Sequence, residues 1–273
     1  MVEAAVGIHV RTRDRVAVLD ALRTALEGEG LRLVPSDAEG GLRFLLAPPR
    51  GRWTTLYPEG SALVEALPPL LGRALGTDVL TVGRLEEAAF FYEYHGPDGA
   101  LRDRYHSCPD YAKEVGEDDA NEEELQRTRG DARLLEPLLG EEGDVEKLAA
   151  LLARCRIERL RDHDPAHGPA DNVGPLTEFA RLLDLPDLLE GYDELCAIAS
   201  DEEDGTDLRL LVYAEPETPG ALERLLQRLR RRGAATQATS PPGSGAESAG
   251  GVPESGEGAS GGGSASSEAE GSS

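Results

Sequence analysis

Apolar and polar positions change period several times between residues 4 and 229, and each period predicts an element. Residues 4–10 alternate and are β-prone, which predicts a strand. In 14–27, Val18, Leu19, Leu22, Ala25 and Leu26 share one helical face, with Gly28 and Gly30 to stop the helix. Residues 31–34 are short and apolar. Residues 42–47 and 53–57 read as strands on either side of Pro48-Pro49-Arg50-Gly51. Ser61 is placed to cap a helix through Leu75 that Pro68 and Pro69 must kink or split. Residues 78–82 predict the next strand.

The clearest motif follows. Two β-prone runs, 88–95 and 101–106, flank Gly96-Pro97-Asp98-Gly99, which is a hairpin signature. Alternation puts Phe90, Tyr92 and Tyr94 on one pleat face and Phe91, Glu93 and His95 on the other. Six of the chain's twelve aromatic residues fall between Phe90 and Tyr111, and their first role is to fill the core.

Beyond Tyr111 the pattern becomes helical. Asn121-Glu-Glu-Glu124 has the form of a capping box. Helices are expected over 131–139 and 144–156, the second with Val145, Leu148, Leu152 and Cys155 in one stripe. Residues 162–174 read as a loop, and 175–183 and 186–191 as helices opening on proline. The β-prone runs 195–200 and 208–214 could pair as a hairpin across an acidic loop, or the second could return to the first sheet. Leu222, Leu225, Leu226 and Leu229 mark a last helix.

The expected class is therefore α+β. It comprises a strand-rich mixed sheet with two helices over 1–112, a mainly helical region over 113–232 that packs on the first or folds alone, and a tail over 233–273. From Ala234 onward there is no Lys, Arg, Leu, Ile or aromatic residue, so this Gly/Ser/Glu tail is expected to be disordered.

Charge narrows the function classes. The 273 residues hold 52 acids against 28 bases, a formal charge of −24. Five glutamates lie in the tail, so the body keeps 47 acids against 28 bases and remains strongly anionic. That balance argues against a nucleic-acid partner, whose phosphates need a clustered positive surface. No apolar run approaches the ~20 residues of a membrane span, and Glu3 and His9 break the first apolar stretch, so no signal segment is expected. Three cysteines far apart in sequence suggest reduced thiols and a cytoplasmic protein. Arginine outnumbers lysine 26 to 2, which fits a GC-rich bacterial genome.

Residues 90–111, FFYEYHGPDGALRDRYHSCPDY, resemble a group of uncharacterised bacterial α/β proteins. In these an aromatic hairpin leads into a Ser-x-Pro-Asp-Tyr segment, here Ser107–Tyr111. The strand at 53–57 and the helix start at Gly130-Asp131 fit the same group. The resemblance covers about the first 190 residues and implies a fold and a bacterial origin. It brings no established activity, and His106 stands where the group usually has Asn or Asp.

Several chemistries can be set against these residues. His106 and Cys108 share a face on an extended strand, so a histidine-activated thiol is geometrically open, against a turn with Cys108 as apolar filler. His163 and His167 have H-x3-H spacing, but Pro165 and Gly168 oppose the helix that metal ligation would use. Residues 201–207 lack the order of a calcium loop. Phosphate-cradle motifs are absent, and the arginines at 228–232 complement the end of a helix. No catalytic residue, metal or cofactor is assigned.

Two readings follow. The first is a non-catalytic, immunity-like or regulatory module of a bacterial cytosol that binds a basic protein partner through Tyr111, Glu114, Glu117, Asp118, Asp119 and Glu122. The second is an enzyme or small-molecule binder with a pocket along the hairpin lined by Tyr92, Tyr94, His106 and Cys108.

Overall fold

The computed structural model describes residues 4–28, 30–36, 41–59, 63–85, 89–112, 120–157, 173–186, 192, 195–196 and 208–214. Their centre is one eight-stranded sheet. The strands are β1 (Ala4–Val10), β2 (Arg32–Val34), β3 (Leu42–Leu46), β4 (Thr54–Pro58), β5 (Val79–Leu85), β6 (Ala89–His95), β7 (Leu101–His106) and β8 (Arg209–Ala214). Their order is β2-β8-β3-β4-β1-β5-β6-β7. Every ladder is antiparallel, so the expected mixed sheet is corrected. Residue patterning reports which face a strand buries and not the direction of its neighbour.

Period-two alternation divides the core. Ile8, Val10, Phe44, Leu46, Leu56, Val79, Leu211 and Tyr213 point to one face, where α1 (Arg15–Glu27) and α2 (Leu67–Leu75) cover them. Asp14 caps α1 by accepting from the Ala17 amide at 2.9 Å, and Val18, Ala21, Leu22 and Leu26 fill the buried stripe. Helix α2 begins at Leu67 rather than at the predicted Ser61, with Pro68 and Pro69 in its first turn, where their missing donors cost nothing. Gly76 closes it at φ 60°.

The opposite face buries Trp53, Leu80, Val82, Phe90, Tyr92 and Tyr105 beneath α4 (Val145–Cys155) and α5 (Val173–Leu183). Leu148, Leu152 and Cys155 of α4 are buried as the stripe predicted. A short helix α3 (Glu122–Arg127) opens on Asn121, whose side chain accepts from the Glu124 amide at 2.9 Å. The result is a helix–sheet–helix sandwich, and Met1–Ser240 cluster as one compact unit.

The mainly helical second region is not what the described residues form. Residues 131–139 make turns and a 3-10 segment at Glu136–Leu138. Their buried positions are Ala132, Leu135 and Leu138, a spacing of three that suits tight turns better than an α-helix. Leu195 and Cys196 are helical, where a strand was expected. β8 enters the first sheet between β2 and β3, with Phe44 opposite Leu211 and Leu33 opposite Tyr213. The predicted helices at 186–191 and 218–229 and the tail fall almost wholly outside the described residues. No helix among the described residues is long and apolar enough to cross a membrane.

Candidate functional site

The hairpin β6–β7 carries the densest polar chemistry, and its two faces differ. Tyr92 and Tyr94 face the α4–α5 layer. Tyr92 stacks on Tyr105 (5.5 Å between centroids) and on Phe179 (5.4 Å). Its hydroxyl donates to Asp103 Oδ2 at 2.7 Å, and the same oxygen accepts from the Asp131 amide at 2.9 Å. Burial and the Asp103 carboxylate together push the Tyr92 phenol far above its ordinary range. The Tyr94 hydroxyl donates to Asp78 Oδ1 at 2.9 Å, and burial followed by that bond raises its pKa to about 12. Tyr105 donates to the Leu152 carbonyl at 2.8 Å. These phenols are held as hydrogen-bond donors inside the packing.

The other face carries a polar row across three strands. Thr81 lies opposite Glu93, and Glu93 opposite Arg104. Arg104 Nη2 meets Glu93 Oε1 at 2.7 Å, with the two side chains 24% and 10% exposed. Burial pushes the Glu93 carboxyl up, and the guanidinium pulls it back. His95 is the next residue along this face. His106 stacks on Phe91 at 5.4 Å, and Phe91 lies flat on Gly83, where a Cβ would collide with its ring. Burial first, then the Arg104 charge, lowers both His95 and His106 to about 4, so both imidazoles are neutral at pH 7. Thr81 Oγ1, His95 Nδ1 and Arg104 Nε are buried with no hydrogen-bond partner among the described residues.

The sequence-derived pocket of Tyr92, Tyr94, His106 and Cys108 is not brought together. His106 pairs with Phe91 and so points away from the two tyrosines. The strand ends at His106, so alternation no longer relates it to Cys108, which is 2% exposed. Ser107 closes the strand instead, its Oγ accepting from the Phe90 amide at 3.0 Å. The polar row was missed because it needs the register of three strands. Its one signal in the sequence is Glu93, a carboxylate inside an aromatic run.

Among the proposed contact residues, Tyr111 belongs to the 3-10 turn Pro109–Ala112, and Glu122 is exposed in the first turn of α3. Glu114, Glu117, Asp118 and Asp119 lie outside the described residues, as do His163, His167 and the 201–207 run. Described residues on either side of 113–119 are tied together, because the Ala120 amide donates to Asp110 Oδ1 at 2.7 Å. Arg156 anchors the same region. Its guanidinium donates to the carbonyls of Leu125 (2.8 Å) and Thr128 (2.6 Å) and to that of His106. A groove of about 600 Å³ lies beside it, between 129–133 and α4, floored by Ala132, Val145, Ala149 and Leu152.

No family model matches the chain, no curated protein matches its sequence, and no solved structure matches its fold.

Proposed function

We propose that the protein is a non-catalytic binding module that recognises a basic protein partner, in an immunity-like or regulatory role in a bacterial cytosol. One observation carries this reading: acids exceed bases by 52 to 28. Even if every base were paired with one acid, 24 carboxylates would have no base within the chain. Such a surplus attracts cationic partners and speeds their encounter. Seven of the acids fall in 114–124. The Asp110–Ala120 bond that ties the flanks of this run supports its presentation from one place. Tyr111 is the proposed aromatic anchor, with Glu114, Glu117, Asp118, Asp119 and Glu122 as the charged contacts. The buried, hydrogen-bonded phenols and neutral histidines of the hairpin support a structural role for that element.

The test is association with a Lys/Arg-rich peptide at low and moderate salt. Replacing Glu114, Glu117, Asp118, Asp119 and Glu122 together by lysine should slow association by roughly tenfold or more and flatten its salt dependence. Unchanged rates and salt slope would place recognition elsewhere.

A further inference from the structure

Although the chain is strongly acidic, one end of its sheet is not. β1 ends at Val10, which pairs with Thr54 on one side and Val79 on the other, and Val79 pairs with His95. The segments that follow or precede these residues therefore gather at a single end. They are 11–15, 50–53, the residues before β5, and the hairpin turn. Arg11, Arg13, Arg15, Arg50 and Arg52 are all there.

The acids of this end are fewer and already engaged. Asp78 accepts from Arg11 Nη1 at 3.0 Å through one oxygen and from Tyr94 through the other. Asp14 is the cap of α1. Asp184 is the third. Asp98 of the hairpin turn is the fourth and pairs with Arg102 at 2.7 Å, so six arginines stand against four aspartates here, a formal excess of +2 in a chain of −24. Arg13 and Arg50 are exposed and make no ion pair among the described residues.

Arg52 is the centre of the arrangement. Its guanidinium lies 5.8 Å from the centroid of the Trp53 ring and donates to the Leu138 carbonyl. Its Nε is buried without a partner. Burial and the nearby Arg11 charge both lower its proton affinity, and Asp184 partly compensates. Asp184 is the one non-glycine residue with positive φ (54°) among those described, and its carboxylate lies against Gly51. A bulky residue at Gly51 would collide with it. Asp184 takes this conformation as the residue that ends α5, with its own amide on the Arg181 carbonyl and the Leu185 amide on the Ala180 carbonyl, and that turn sets its carboxylate beside Arg52.

We propose that this end of the sheet is a binding site for a phosphate dianion, free or as a small phosphate monoester, held by Arg52 with Arg11, Arg13 and Arg50. The charge of the ligand matches the local +2. Paired guanidinium donors suit a phosphate's spread of acceptor oxygens better than a single carboxylate does. A bound phosphate would relieve the Arg11–Arg52 repulsion. This site lies at the opposite end of the sheet from the close of β7 at His106 and does not depend on recognition of a basic partner.

The experiment is calorimetric titration of the full chain with inorganic phosphate and with glycerol 2-phosphate at constant ionic strength, with acetate as the monoanion control. Saturable binding with a dissociation constant near or below about 1 mM is expected for phosphate or its ester, and none for acetate. Arg13→Gln with Arg50→Gln, both exposed, should weaken it roughly tenfold while the fold is unchanged. The same variant should bind the Lys/Arg-rich peptide as the parent does, so loss of phosphate binding and failure of the basic-partner reading are distinguishable. No saturable phosphate heat, equal binding of acetate, or unaltered affinity in the double variant would overturn the proposal. Response to the monoester alone would support it and identify the esterified form as the ligand.

Discussion

Of the chain's five histidines, His9 and His95 are buried and His106 is half-buried in the described fold, and this should make it acid-labile well above the pH at which carboxylates are protonated. His9 is wholly buried in the centre of the sheet, its Nδ1 2.9 Å from Thr55 Oγ1, and burial lowers its pKa to about 3. His95 and His106 are lowered to about 4. In the unfolded chain each returns to about 6.5. All three bases are lowered in the fold, so the unfolded state binds more protons below pH 6.5. The stabilisation is complete above that pH and is lost as pH falls toward 4. A tenfold difference in proton affinity corresponds to about 1.4 kcal/mol, so protonation of each imidazole in the unfolded chain favours unfolding by about 2 kcal/mol at pH 5, and the three together by about 6. Glu93 and Asp103 act in the opposite sense, since burial raises both carboxyls and lets the fold take up protons earlier than the unfolded chain. The observed loss is thus smaller than the histidine sum. Urea unfolding at pH 7.5 and pH 5 measures it. The His106→Phe variant isolates one contribution, because a phenyl ring keeps the stacking on Phe91 and cannot titrate. The pH difference in stability should shrink by about 2 kcal/mol in that variant. Equal stability of the parent at the two pH values, or an unaltered difference in His106→Phe, would show that the buried imidazoles are not the source of acid lability.

Two further outcomes are expected. Gly99→Ala should cost about 2–4 kcal/mol in urea unfolding, since Gly99 has φ 74° and its Cβ would strike the Pro69 carbonyl. Gly76→Ala, at φ 60° with open space around it, should cost only about 1 kcal/mol, and equal losses would deny the close α2–hairpin approach. In the native protein a thiol reagent should modify Cys196 first, because Cys108 and Cys155 are buried and burial raises the Cys155 thiol further. Fast labelling of Cys108 would instead point to its activation by His106.

Local chemistry made much of the fold legible. The α1 and α4 stripes, the Asn121 cap and the 96–99 turn each follow from residues within a few positions of one another, and all are present. Long-range pairing was not legible in the same way. β8 reaches its neighbour β3 across more than 160 residues, and nothing in its alternating pattern names that partner. At 131–139 the leucines suggested an α-helix, but burial every third residue together with Pro137 selects a tighter turn. The candidate site shows the same division. The two faces of β6 were readable from alternation, whereas the Thr81–Glu93–Arg104 row and the gathering of arginines depend on registers that no single segment encodes.

Those registers also decide where recognition can occur. Helical layers cover the two sheet faces beneath which Trp53, Phe44, Phe90, Tyr92, Tyr105 and Tyr213 lie, so those groups stabilise the fold and meet little solvent. Among the described residues, the two ends of the sheet remain accessible. β7 runs from the hairpin turn, at the arginine end, to His106, whose amide donates to the Thr128 carbonyl at the foot of α3. The Asp110–Ala120 bond, which follows β7 and precedes α3, therefore lies at the end opposite Arg11 and Arg52. On the proposed reading a basic partner and a small anion would be recognised at opposite ends of the sheet, so binding of one should leave the other's site open.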